Sequence, residues 1–254
     1  MKETSMNRLT WVEYQGRVRE ERAPVFLPVG ALEQHGPHLP LGTDAMLAAA
    51  VAEGAAGETA GLAAPALAYG YKSQPKCGGG QHFPGTTSLD AQTLSHTVRD
   101  AVREFARHGV EKLVIVNGHY ENQWFLIEGI DLAMRELGGR TPLTIMRMEY
   151  WDFLTPATLA SVFPDGFPGH ALEHAAVIET SLMLHYHPEL VRLDRIPSDP
   201  SADFPPYDIY PTRTQWVPPS GVLSSAKAAT REKGKAMAAE VSTLVARAVR
   251  KEYA

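Results

Sequence analysis

Short, continuous apolar runs alternate along this chain with longer segments whose apolar residues recur three and four apart. Residues 24–29, 62–67, 113–116 and 143–148 are the runs, each bounded by glycine, proline or charged residues, and they read as buried strands. Between them the pattern is helical. Thr10 with Glu13 predicts a capping box opening a short helix through Trp11, Tyr14 and Val18. An alanine-rich helix over 45–56 is expected to start at Asp44 and end at Gly57 and Gly61. The helix over 90–108 carries the stripe Leu94, Val98, Ala101, Val102 and Phe105, with Gly109 as its stop. Leu126, Ile130, Ala133 and Leu137 stripe the next, which Gly138 and Gly139 end. Two more helices are expected over 171–186, with His174, Val177, Ile178, Ser181 and Leu182 on one side, and over 224–252, striped by Met237, Val241, Leu244 and Ala248. Strand and helix in alternation predict an α/β fold whose central sheet is mostly parallel and covered on both faces.

Three stretches fall outside this rhythm. Residues 68–88 form a long glycine-containing connection, of a length that in compact domains usually serves function. Its Gly78–Gly80 run lets backbone approach a ligand, but no Gly-Lys-Ser/Thr follows, so it is not a nucleotide loop. Residues 163–169 read as a mobile surface loop. Residues 188–219 carry eight of the 19 prolines, predicting irregular structure that covers a site or meets a neighbouring subunit. The expected organisation is one domain over 1–254, with a lid and oligomer-contact region at roughly 152–222.

Composition narrows the partners. A net charge of -5 and a pI near 6.1 give no electrostatic case for nucleic acid. No apolar run is long enough to span a bilayer and no signal-like segment opens the chain, so a cytoplasmic protein without membrane contact is expected. The single cysteine, Cys77, suits a reducing compartment.

The chemistry lies in two turns. After the first strand come Glu33 and His35, two apart and so on one side of an extended backbone, with Asp44 beyond a Gly/Pro turn. After the third strand come His119 and Glu121, again two apart. Loops leaving the carboxyl ends of parallel strands converge where open α/β sheets keep their sites. Two imidazoles and three carboxylates without thiolate suit zinc or manganese, and five donors fit two ions sharing Asp44. Such a pair can hold a hydroxide between the ions and polarise a carbonyl. His174 is the candidate proton shuttle, expected in the first turn of its helix, where the dipole keeps the ring neutral. Tyr120 offers its amide or ring to a substrate, and Trp151 can stack on a flat guanidine-like ring. Cys77 beside His82 is a rival nucleophile, but nothing nearby in the chain lowers its pKa. His38 and His82 are candidates to orient ligands from behind.

Glu33-Gln34-His35-Gly36-Pro37-His38 with Asp44, and Asn117-Gly118-His119-Tyr120-Glu121-Asn122, resemble the creatininase (creatinine amidohydrolase) family. The likeness extends to Tyr69–Gln74, to Gly78–Ser88, to Tyr150–Phe153, to Phe204–Asp208 and to Leu223–Lys227 with Arg231–Gly234, covering nearly the whole chain. It implies a three-layer α/β/α sandwich, a homo-hexamer and two zinc or manganese ions. Glu33, Asp44 and His119 would hold one ion, and His35, Asp44 and Glu121 the other. It further implies hydrolytic opening of a cyclic amide, creatinine to creatine, with Glu173-His174 and Glu121 in the catalytic set. The resemblance places Cys77, Tyr120, Trp151, His170 and Ala171 at the substrate. Two departures stand out: His170-Ala171 replaces a Trp-Asp pair of the family, and Cys77 replaces a Ser. The alternatives are the same machinery on another C–N bond (a formamide, another lactam or a peptide end) and a non-catalytic small-molecule binding module. A phosphatase would want an arginine cluster that the chain lacks.

Overall fold

The computed structural model describes residues 2–253. In chain order the elements are α1 (Trp11–Gln15), β1 (Val25–Val29), α2 (Thr43–Thr59), β2 (Leu62–Ala63), α3 (Pro75–Gly78), α4 (Ala91–His108), β3 (Lys112–Asn117), α5 (Gln123–Leu137), β4 (Thr144–Glu149), α6 (Pro156–Val162), α7 (Val177–Tyr186) and α8 (Arg231–Glu252). The strands form one sheet in the order β2-β1-β3-β4, and every pairing is parallel. Alternate residues of each strand serve opposite faces. Phe26, Val114 and Val116 pack with α2, α7 and α8, while Val25, Leu27, Val29, Leu113 and Ile115 pack with α4 and α5. The result is the expected three-layer α/β/α sandwich, whose central strands are apolar on both sides because both sides are covered.

Local signals and tertiary contacts divide the element boundaries between them. The capping box is formed: Thr10 N–H donates to the Glu13 carboxylate at 2.7 Å and Glu13 N–H to Thr10 Oγ1 at 3.4 Å. α4 ends at Gly109 and α5 at Gly138, both left-handed as their glycines foretell. α2 differs. It starts at Thr43, with Asp44 inside its first turn, and runs through Gly57 to Thr59. Arg17, from the turn after α1, donates to the carbonyls of Ala60 and Gly61 at 2.8 and 3.1 Å and satisfies the helix end there. The predicted strand over 62–67 pairs only at Leu62–Ala63, with one further bridge between Val29 and Leu67. Pro65 has no N–H to continue the ladder.

Two helices begin later than the apolar pattern suggests. α8 opens at Arg231 rather than at 224, capped by Thr230, whose hydroxyl accepts from Lys233 N–H at 3.2 Å. α7 opens at Val177 rather than 171, because the chain bends at Ala175, which has φ +55°. Residues 170–172 form a separate 3-10 turn, and the Glu173 carboxylate accepts from Ile178 N–H at 2.8 Å to cap α7.

α7 and α8 pack closely at Gly234, where an added Cβ would collide with the Ser181 carbonyl oxygen and press on the His185 Cβ. Alanine elsewhere in a helix interior stabilises by roughly 1 kcal/mol relative to glycine. Here overpacking wins, and Gly234→Ala is expected to lower the unfolding free energy by about 1–3 kcal/mol, read as a reduced denaturation midpoint.

Candidate functional site

The register of the sheet builds the site. Val29 and Asn117, the last residues of β1 and β3, lie opposite one another, and Gly118 N–H donates to Val29 O at 2.8 Å. The loops beginning at Gly30 and Gly118 therefore leave side by side. The start of α2 sits directly on them: a Cβ on Gly30 would meet Ala45 backbone, and one on Gly118 would lie 2.5 Å from Asp44 O. Only glycine lets Asp44 come down between the two loops. Asn122 ties them from the side, donating to Gly30 O at 3.0 Å and accepting from Tyr71 N–H at 2.8 Å.

Asp44 is the meeting point. Its Oδ1 is 2.9 Å from His35 Nε2 and its Oδ2 is 3.0 Å from His119 Nδ1, with Glu33 Oε1 3.2 Å from that same nitrogen. The far nitrogen of each ring is committed to a backbone carbonyl, His35 Nδ1 to Glu33 O at 3.2 Å and His119 Nε2 to Tyr71 O at 3.1 Å. A ring that donates there turns its lone pair toward carboxylates, an arrangement that needs a second proton or a cation in between. Without a cation, the rings are driven to imidazolium. Burial opposes the charge, but Asp44 and Glu179 hold His35 well above its usual value, and Glu33 and Glu121 do the same for His119. Asp44 is held low against its own desolvation by the two histidines.

Glu33 Oε2, His35 Nε2, Asp44 Oδ2 and Glu121 Oε2 are buried without a hydrogen-bond partner, the His35–Asp44 approach being misaligned for one. Among the described residues, Glu33/Asp44/His119, His35/Asp44/Glu179 and Glu33/His35/His174 each bring three donor atoms within 4.8 Å of one another. Imidazole and carboxylate donors, unsatisfied and converging, fit two divalent ions of the zinc or manganese type.

A family model described as creatinine amidohydrolase matches residues 7–249. The chain belongs to the creatininase family. It is 49% identical over 255 residues to the creatinine amidohydrolase of Pseudomonas putida, covering 99% of this chain and 98% of that protein. It superposes on a crystal structure of creatinine amidohydrolase with a TM-score of 0.97, covering 99% of this chain and 98% of that one at 49% identity. It also superposes on a manganese creatininase and on a Zn–Zn mutant creatininase, each with a TM-score of 0.96, 49% identity and 99% coverage of both chains.

The candidates the creatininase resemblance adds are mostly brought together. Glu33, Asp44, Cys77, His119, Tyr120, Glu121, Trp151, His170, Glu173 and His174 line one cleft of about 430 Å3, counting its open mouth. His35 lies fully buried below it. Ala171, expected at the substrate, does not line the cleft, although it shares a 3-10 turn with His170, which does. Glu121, expected with His35, makes its contacts on the other side: Gln74 N–H donates to its Oε1 at 2.6 Å, and its Oε2 is 3.4 Å from His119 Nε2. Burial and the nearby Glu33 push its carboxyl up to about 7. The Cys77 thiol is raised to about 12 by burial and Glu121, and His82 is exposed against Phe83, so the thiol-nucleophile reading has no support. His38 is buried against Thr180 Oγ1 at 3.0 Å, behind the cleft.

His174 needs a different account from its predicted helix position. It lies three residues before α7, and its neutrality comes from burial and from His35, which lower its pKa. Its tautomer is set by Gln34. Both Gln34 amide hydrogens have carbonyl acceptors, Gly78 O at 3.1 Å and Gly221 O at 2.9 Å, so His174 Nε2 donates to Gln34 O at 2.8 Å. Nδ1 is left as the base, 3.6 Å from Glu33 Oε1. Gln34 and Glu179 are the site residues that spacing did not single out. Gln34 stood between two candidates, and Glu179 is acidic in the first turn of a helix that follows a candidate histidine. Gln34→Ala leaves the Gly78 and Gly221 carbonyls unpartnered in the interior, and a loss of about 2–4 kcal/mol in unfolding free energy is expected by chemical denaturation.

Proposed function

We propose that this chain is a metal-dependent amidohydrolase that opens creatinine to creatine with two divalent ions, zinc or manganese. The observation that carries the reading is the Asp44 carboxylate, faced on each oxygen by an imidazole from a different loop. Glu33, Asp44 and His119 would hold one ion, and His35 and Asp44 part of the other, with Asp44 shared. When bound, the ions supply an activated water and polarise the scissile carbonyl.

This chain's own groups account for the remaining demands of the reaction. Hydrolysis adds water across the ring amide, breaks its C–N bond and puts a proton on the leaving nitrogen. Nδ1 of His174 is placed to take that proton from water and return it to the nitrogen. The Glu173 carboxyl is pushed up to about 8 chiefly by burial, which favours its protonated form, and its Oε1 has no partner, so it can donate to the substrate. The Tyr120 and Trp151 rings stand 14° from parallel with centroids 6.2 Å apart, and His170 closes the wall 6.5 Å from Trp151. A flat, guanidine-bearing ring suits such walls. His170 takes the position of the aromatic residue that the family carries, packed edge-on against Phe167.

The proposal extends to a cytoplasmic homo-hexamer in which roughly residues 152–222 serve as lid and subunit contact. Trp11 (75% exposed), Trp124 (67%) and Tyr210 (75%) leave apolar surface for such contacts. Light scattering on the purified protein is expected to return six subunits.

Incubating metal-loaded protein with creatinine is expected to yield creatine. No creatine, with two ions bound and turnover of another ring or a formamide, moves the assignment to that C–N bond. His174→Ala is expected to retain both ions and lose about 10²–10⁴ in kcat. Near-full turnover in that variant would remove the shuttle.

A further inference from the structure

We infer that Tyr150 donates a hydrogen bond to the carbonyl oxygen of the substrate and holds the negative charge that forms there when the ring amide is attacked; the inference rests on the amidohydrolase reading above. Tyr150 is the first residue after β4, whose last residue, Glu149, pairs in register with Asn117. Its side chain therefore starts at the same rim as the loops carrying Glu33 and His119. Only 1% of it is exposed, yet it lines the cleft, whereas Tyr120, at 36%, belongs to the mouth. Its ring shares a buried cluster with Val177, Ile178 and Leu182 of α7, so packing fixes its position. The charged groups that act on its phenol are Glu179, Asp44 and Glu173, and each of the three lines the cleft. That company puts the hydroxyl on the cleft floor, beside the carboxylate cluster.

What the hydroxyl lacks is a partner. Among the described residues nothing accepts a hydrogen bond from it, although a buried phenol ordinarily finds an acceptor. The neighbouring carboxylates are already engaged. Each Asp44 oxygen faces an imidazole, Glu179 Oε2 accepts from Ala175 N–H at 2.6 Å, and Glu173 Oε2 accepts from Ile178 N–H at 2.8 Å. Burial and those same carboxylates hold the phenol well above its usual value, so it keeps its proton and acts as an uncharged donor. Such a donor suits a place where negative charge appears among groups that are themselves negative. The amide oxygen gains charge as water adds to the carbonyl carbon and loses it when the C–N bond breaks. Tyr150 transfers no proton in either step, and His174 remains the proton carrier. A donor fixed before the charge develops lowers the barrier more than it tightens the bound substrate.

Tyr150→Phe keeps the ring and removes only the donor. Zinc-loaded, full-length wild type and variant would be compared for kcat and KM on creatinine, for zinc per subunit after dialysis and for the denaturation midpoint. The variant is expected to lose about 10²-fold in kcat with KM little changed. Its zinc content is expected to match wild type, and its midpoint to hold or rise, because no intramolecular hydrogen bond is lost. A kcat close to that of wild type overturns the inference and leaves the amidohydrolase reading standing. A fall in kcat that comes with lost zinc or a lowered midpoint also overturns it, since the hydroxyl then supports the ions or the fold rather than the substrate. Wild type that opens no cyclic amide overturns both.

Discussion

Two imidazoles, each anchored by a backbone carbonyl on its far nitrogen, point their near nitrogens at opposite oxygens of Asp44. The rest of the molecule serves that arrangement. Packing carboxylates into a dry interior costs several kcal/mol per ion unless opposite charge is brought in with them. Protonated histidines offset the cost when no cation is present, and divalent ions do so more completely. The unpartnered oxygens of Glu33, Asp44 and Glu121 are what such ions would satisfy.

Holding this cluster together takes three strands and a helix start. The β1–β3 register puts Val29 beside Asn117, and the β3–β4 register puts Asn117 beside Glu149. Loops carrying Glu33 and His35, His119 and Glu121, and Tyr150 and Trp151 therefore emerge at one rim. Glycine at 30 and 118 then allows α2 to descend onto that rim with Asp44 in its first turn. A parallel sheet suits this task because all its strand ends of one polarity face the same way.

Above the cluster, the chain between α6 and α7 forms the mouth. The bend at Ala175 separates two functions that a continuous helix would have merged. Upstream of it, His170 completes an aromatic wall and His174 hangs from Gln34. Downstream, α7 begins with the Ile178 amide satisfied by Glu173. Glu179, in that same first turn, faces back toward His35. Gln34 bridges the Gly78, Gly221 and Gly36 backbones, so the loops around the cleft are tied to one buried amide.

The apolar rhythm by itself determined a parallel sheet covered on both faces, and the two-residue spacing of carboxylate and imidazole marked two turns beyond β1 and β3. Those are local signals: runs, stripes and glycine stops leave a direct mark in the order of residues. The cluster around Asp44 was foreseeable because His35 and His119 each stand beside a carboxylate just past a strand. Only tertiary structure decided where α2 stops, since Arg17 closes it from 43 and 44 residues away in the chain. The same holds for the late start of α7, the tautomer of His174 and the separation of Glu121 from Glu179. Each depends on which distant carbonyl or carboxylate reaches a given atom through folding. No spacing along one chain records that proximity.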